Sequence, residues 1–279
     1  MKKKTMWNGV IFIILCILVV AFLLPVFFVL LNSFKGKFYI SNAPFALPDA
    51  ATFAGFTNYI NGIEKTNFMS AFGWSVFITV FSVLAILFFT SMTSYYLTRV
   101  QGALTGILYY MFVFSMIVPF QMVMFTMSKL ANSCRLNNPA GMVLLYLGFG
   151  SGLAVFMFCG FIKSIPLEIE EAAMIDGCNP VQTFFRVVMP VLKPTAITVA
   201  ILNAMWIWND YLLPYLVIGL STPYKTIPVA VQYLIGSYGS RDMGAMMALL
   251  VLSIIPIIIF YLICQKYIIE GVVAGAVKG

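Results

Sequence analysis

Histidine is absent from this 279-residue chain, and charged residues make up only 9% of it. The first absence removes the commonest general base and the commonest metal ligand. The second excludes an ordinary soluble surface, since soluble domains carry roughly 25% charged residues. With 62% of residues hydrophobic, most of the surface must face lipid. The five cysteines (Cys16, Cys134, Cys159, Cys178 and Cys264) form no C-x-x-C pair. Neither a zinc site nor a disulfide framework is indicated, and they read as small packing residues. No G-x-x-x-x-G-K-[ST] segment occurs, so no phosphate-cradling loop is expected. The net charge of +7 is spread over loops, its longest basic run being Lys2-Lys3-Lys4. It reads as a membrane-topology signal and not as a nucleic-acid surface.

What is present is a series of long charge-free gaps. A membrane helix needs about 20 mostly apolar residues. The gaps predict six uninterrupted spans at about 9–31, 68–93, 105–127, 140–161, 195–219 and 243–265. Only the fifth contains a charge, Asp210. The first span is too long for a signal peptide and lacks a small-residue cleavage site, so it is read as a retained helix. The expected organisation is one all-α transmembrane domain over residues 1–279. With the N-terminus inside, nine Lys and Arg fall on the cytoplasmic side and seven outside, and the triple Lys precedes the first helix. Both termini are therefore expected in the cytoplasm. The outer loop 32–67, with Pro44 and Pro48, is expected to be irregular with one short helix.

The inner loop, 162–194, carries the strongest local signal. Pro166 suits a first helical turn, and Glu168, Glu170 and Glu171 lie where a helix dipole favours negative charge. Ala172 and Ala173 are strong helix formers, and Gly177 fits the position just past the end. Asn179 can cap a second short helix with Pro180 at its first position, and Pro190 and Pro194 end that segment. The product is an acidic knob with small side chains, suited to close approach by a partner. An amphipathic loop lying on the membrane would instead be rich in Lys and Arg.

The segment EEAAMIDG, followed by Met189-Pro190, resembles the EAA loop of ABC importer permeases. Ile165-Pro166, Ile175-Asp176-Gly177, WNDYLLP from Trp208 to Pro214, GAVKG from Gly275 to Gly279, and NSFK from Asn32 to Lys35 are similar to the sugar branch. The resemblance covers nearly the whole chain and is best to the shorter permease of the maltose-type and multiple-sugar pairs. Tyr211 stands where relatives often carry Phe. The resemblance implies a type I importer permease fold in the cell membrane, without a cofactor or nucleotide site of its own. It implies as partners a second, different permease, two ATP-binding subunits and an extracytoplasmic sugar-binding protein. It also implies that the loop is a coupling helix seated in an ATP-binding subunit. Glu170, Glu171, Ala172, Ala173, Asp176, Gly177 and Pro190 are its expected coupling residues. For the C-terminal tail the resemblance implies contact with the ATP-binding subunits, while its residues read equally as a disordered end.

A translocation path needs polar groups inside the spans. Asn203, Trp206 and Asp210 share one face of the fifth span, with Asn209 at its edge, and Gln121 lies beside Pro119 in the third. An aromatic plate with amide and carboxylate groups matches a sugar's C–H face and hydroxyls. The competing role for these polar groups is to hold helices together or bond at a proline kink. An ion-driven transporter, with paired half-helices and several buried charges, fits six uninterrupted spans poorly. An intramembrane enzyme lacks its acid–base pair. A permease for another solute, such as a glycerol phosphate, would want a basic cavity, and no span holds Lys or Arg.

Overall fold

A computed structural model of the chain describes residues 2–232, 234 and 242–276, with the backbone alone for 2–6 and 268–276. Arg241, Lys278 and the last three residues of the GAVKG tail lie outside the described residues. In chain order the helices are α1 (Lys2–Ser33), α2 (Lys37–Asn42), α3 (Thr57–Thr66), α4 (Phe68–Arg99), α5 (Ala103–Ile117), α6 (Phe120–Ser133), α7 (Pro139–Ile162), α8 (Leu167–Ile175) and α9 (Pro180–Thr183). A π-helical turn, Phe184–Val188, leads into α10 (Met189–Val191) and α11 (Lys193–Asn209). Then follow α12 (Leu212–Pro214), a second π turn (Tyr215–Gly219), α13 (Ile227–Gln232) and α14 (Met243–Ala276). Among the described residues there is no strand, only an isolated bridge between Lys35 and Phe53.

Four helices are long and apolar enough to cross a membrane: Trp7–Ser33, Phe68–Arg99, Pro139–Ile162 and Met243–Tyr267. Two further helix pairs are apolar enough only when taken together and are bent, α5 with α6 at 104° and Pro180–Val191 with α11 at 74°, which gives up to six crossings if each bent pair is one span. The expectation of six uninterrupted helices is corrected at the third and fifth. In the third, Pro119 has no N–H to continue the ladder and forces Val118 out of the helical region, to φ −71°, ψ 117°. The fifth stops at Asn209, with Asp210 extended at ψ 124°. Pro214 lies four residues beyond Asp210, so it has no N–H for the Asp210 carbonyl and its ring would clash there in a continuous helix. The Asp210 side chain completes the break by accepting the Leu212 N–H at 3.0 Å.

The chain divides into two compact units. The first comprises residues 1–69 and 230–258. Its loop 32–67 holds two short helices, α2 and α3, where the sequence predicted one. The NSFK segment organises it. Lys35, 2% exposed, donates to the Ala43 carbonyl at 2.9 Å. Asn32 Nδ2 donates to the carbonyls of Phe28 and Pro44, and Asn58 Nδ2 to those of Ser33 and Lys35. Backbone bonds such as Gly36 to Thr52 and Ala54 to Phe34 close the loop on itself, and these side chains take carbonyls left over.

The second unit comprises residues 70–229 and 259–279. Its core gathers Ile78 and Ile86 from α4, Met142, Tyr146 and Phe158 from α7, and Leu192, Leu213 and Ile218 from the later segments, all nearly or fully buried. α7 is the central helix, more than half of its apolar window buried. Asn138 caps it by accepting the Gly141 N–H at 2.9 Å, with Pro139 at the first position. Gly152 lets α7 approach α5. A Cβ there would stand 2.7 Å from the Phe112 carbonyl oxygen and from Ser115 Oγ.

Candidate functional site

The loop 162–194 folds as a capped, braced knob. α8 ends in a Schellman arrangement: Gly177, at φ +87°, donates to the Met174 carbonyl and Cys178 to that of Ala173, both at 3.0 Å. A side chain at Gly177 would be strained by that backbone conformation. Asn179 accepts the Gln182 N–H at 2.8 Å while the Gln182 carboxamide accepts the Asn179 N–H at 2.9 Å, a complete capping box. The chain does not stop at Pro190. It continues through the π turn and α10 to the bend at Leu192, and Pro194 sits in the first turn of α11. Pro190 removes the donor that the Arg186 carbonyl would otherwise take, next to the widened π turn.

The knob has two chemically different faces. Glu171, Ala172, Asp176 and Gly177 are exposed, Ala173 is half-buried, and Pro190 is exposed on α10. Ile175, 86% exposed, and Met174 add apolar surface beside the acids. Glu170 does not join this face. It is 2% exposed and turned inward to α4. Arg99 donates to its Oε1 through Nη2 at 2.6 Å and Nε at 2.9 Å, and Tyr95 donates to Oε2 at 2.8 Å.

A cavity of about 320 Å³ lies at the break of the third span. Ser115, Pro119 and Phe120 form the break side, Phe149 and Gly150 come from α7, and Asn203 and Trp206 from α11. Its volume is at the lower end of small-molecule pockets. Phe120 and Phe149 meet edge to face at 5.2 Å, and Trp206 meets Tyr146 at 5.5 Å. Asn203 donates to its own helix at Val199, and its carboxamide oxygen lies against Gly150, where a Cβ would be 2.7 Å away. None of the residues lining this cavity is charged.

Residues 91–273 match the family described as the binding-protein-dependent transport system inner membrane component. The chain belongs to that family. This transport component is 39% identical over 254 residues to the probable starch degradation products transport system permease protein AmyC of Thermoanaerobacterium thermosulfurigenes, covering 91% of each chain. It is 33% identical to the multiple sugar-binding transport system permease protein MsmG of Streptococcus mutans, covering 92% of each. It is 29% identical to the melibiose/raffinose/stachyose import permease protein MelC of Bacillus subtilis, covering 99% of each. Its fold is that of a chain in the crystal structure of a bacterial ABC transporter involved in import of the acidic polysaccharide alginate. That likeness has a TM-score of 0.77 at 21% identity and covers 96% of this chain and 98% of that one. The protein is therefore a multi-pass membrane permease of ABC type. It is a transport component and not an enzyme.

Of the five path residues read from the sequence, the structure brings Asn203 and Trp206 together on one cavity wall. Gln121 is exposed in the first turn of α6, beyond the break. Asn209 is exposed and bonds its own helix at Met205. Asp210 accepts from Tyr146 at 3.0 Å across to α7, which is the helix-holding role that competes with solute contact. Sequence reasoning missed Tyr146, Phe120, Phe149 and Gly150. Gly150 carried no signal of its own, since among the α7 glycines near it only Gly148 and Gly152 have the four-residue spacing of close helix approach. The Asn179 to Gln182 spacing, by contrast, was a readable capping box.

Proposed function

We infer that this permease forms half of the translocation path of an ATP-driven importer of neutral carbohydrates, pairing with a second, different permease. Two ATP-binding subunits and an extracytoplasmic sugar-binding protein complete the assembly, and both termini lie in the cytoplasm. ATP hydrolysis takes place on the ATP-binding subunits. The exposed face of the knob docks one of them: Glu171 and Asp176 meet cations, Ala172 and Ala173 allow close contact, and Gly177 holds the turn. The observation that carries this reading is the capped and braced knob with Glu171 and Asp176 turned outward, in a chain of this transport family.

Starch products, multiple sugars and raffinose-type oligosaccharides in the relatives' names support carbohydrate cargo. The cavity supports a neutral solute, because a phosphate would call for a Lys or Arg that its wall lacks. Trp206 with Phe120 and Phe149 supplies apolar plates for sugar C–H faces, and Asn203 supplies an amide. Gln121, Asn209 and Asp210 shape the helix ends around that wall. The broken third and fifth helices remove one argument against an ion-driven transporter, so energy source is the discriminating measurement.

The test is reconstitution of the chain with its co-purifying subunits and binding protein in proteoliposomes. Neutral sugars should stimulate ATP hydrolysis and enter the vesicles, and an Ala172→Cys variant should cross-link to an ATP-binding subunit. Uptake that proceeds without ATP and collapses with the ion gradient would refute the reading.

A further inference from the structure

Docking explains the outer face of the knob but not the buried side of α8. There a carboxylate and a guanidinium are sequestered together: Glu170 is 2% exposed by residue and the Arg99 side chain 16%. Arg99 also donates through Nη2 to the Ile165 carbonyl at 3.0 Å, so one guanidinium holds both α8 and the strand of chain that enters it. Burying two charges costs free energy that only near-ideal geometry and full hydrogen bonding offset. Here the Glu170 carboxylate receives three donors, two of them from Arg99 at charge-assisted lengths. Such a pair is weak evidence for stability as such, and is better explained by a positional requirement.

The contact continues along one stripe of α4. Phe88, Tyr95 and Arg99 follow i, i+7, i+11 spacing and so share a helix face. Phe88 stacks on Phe185 at 6.3 Å, Tyr95 packs against Phe184 at 5.2 Å, and Arg99 holds Glu170. The stripe therefore touches both halves of the knob, α8 and the π turn. By contrast, the covalent path from the knob to α11 passes through a 74° bend at Leu192, between Pro190 and Pro194. Pro190 and Pro194 thin the backbone ladder around that bend, where Leu192 still donates to Val188 and accepts from Ala196, whereas the buried ion pair sets two guanidinium donors on one carboxylate oxygen and is backed by aromatic contacts.

We propose that Arg99 and Glu170 are positioning residues that deliver the movement of the docked knob to α4, a coupling route separate from the chain's own connection into α11. Tyr95 keeps the carboxylate oriented. The proposal rests on the docking role given to the knob above. In it, the end of α4 moves with α8 as one body while the Leu192 joint flexes.

The test uses the reconstituted importer with Ala172→Cys as a docking reporter. Glu170→Gln, Arg99→Met, Tyr95→Phe and the exchange Arg99→Glu with Glu170→Arg are compared by sugars moved per ATP hydrolysed and by cross-linking yield. Glu170→Gln and Arg99→Met are expected to cross-link as the parent does while transport per ATP falls at least about tenfold, with Tyr95→Phe milder and the exchange recovering part of the loss. Unchanged transport per ATP in Glu170→Gln and Arg99→Met would overturn the proposal. So would loss of cross-linking in those variants, because the pair would then merely build the docking surface. Failure of Ala172→Cys to cross-link in the otherwise unaltered protein would instead sink the docking reading, and this inference with it.

Discussion

The knob and the cavity belong to the same compact unit but are built by opposite routes. In the knob, the hydrogen bonds that cap and turn its helices span three to five residues, in the Asn179–Gln182 box and the Gly177 turn, while the Glu170 and Phe184–Phe185 contacts to α4 reach far along the chain. The cavity takes its walls from α5, α6, α7 and α11, its lining residues running from Ser115 to Trp206. The difference teaches where each can fail. The caps and turn within the knob tolerate distant change and are broken by a single cap or turn residue. A tertiary site is broken by anything that spreads its helices.

Five outcomes would sharpen or break this contrast. The largest effect is expected from Glu171→Lys on the knob's exposed face. Reversing a charge opposite cations should lower sugar uptake by at least about tenfold while leaving membrane insertion and thermal stability unchanged, which paired uptake and melting assays would show. Gly152→Leu should destabilise the cavity region by about 3 kcal/mol, because the nearest atoms include α5 backbone that cannot swing aside. Its melting temperature in detergent should drop and its knob cross-linking persist; a change of the reverse kind would contradict the contrast. Tyr146→Phe leaves a carboxylate oxygen of Asp210 without its donor, and about 1–3 kcal/mol of stability should be lost. Asn179→Ala removes one cap at about 1 kcal/mol, read as faster proteolysis or amide exchange confined to residues near 179–188.

The smallest effect lies outside both regions, at the Lys65–Asp242 ion pair of the first unit. Burial pushes the Asp242 carboxyl up, but the Lys65 ammonium, the Ala245 N–H and the nearby Lys37 outweigh it and hold it below its ordinary value of 3.8. A depressed carboxyl stabilises the fold above its unfolded pKa, and that stabilisation is lost as pH falls through the folded one. With Lys65 half-exposed, the contribution is under about 1 kcal/mol. Lys65→Met should flatten this acid-side dependence of the melting temperature without altering transport at neutral pH.

How much was readable follows the same line. The charge-free gaps located the apolar stretches because charge exclusion from lipid acts on each segment separately. The caps at Asn179, Pro180 and Gly177 were readable because each bonds within one turn. The breaks were partly readable. Pro119 was seen as a kink, yet it opens a 104° break, and the role of Pro214 in ending the helix at Asn209 went unread. Glu170 was placed with its neighbours on the docking face. One residue's rotation along α8 separates it from Glu171, and nothing in EEAA says which carboxylate faces Arg99. Asp210 looked like a path residue by helical periodicity, but the periodicity ends at Asn209.

The amino-acid sequence alone determined that this protein lives in a membrane, where its long apolar stretches fall, and that it carries an acidic, glycine-turned knob. Hydrophobic transfer, dipole placement and capping are all short-range in the chain. Only the tertiary structure decided which glutamate is buried and which is offered, and that Trp206 and Asn203 share a wall with Phe120 and Phe149. It also decided that Asp210 serves Tyr146. Those outcomes depend on how helices distant in sequence rotate and approach one another. That is set by whole-helix packing through Gly150, Gly152 and the stripe on α4.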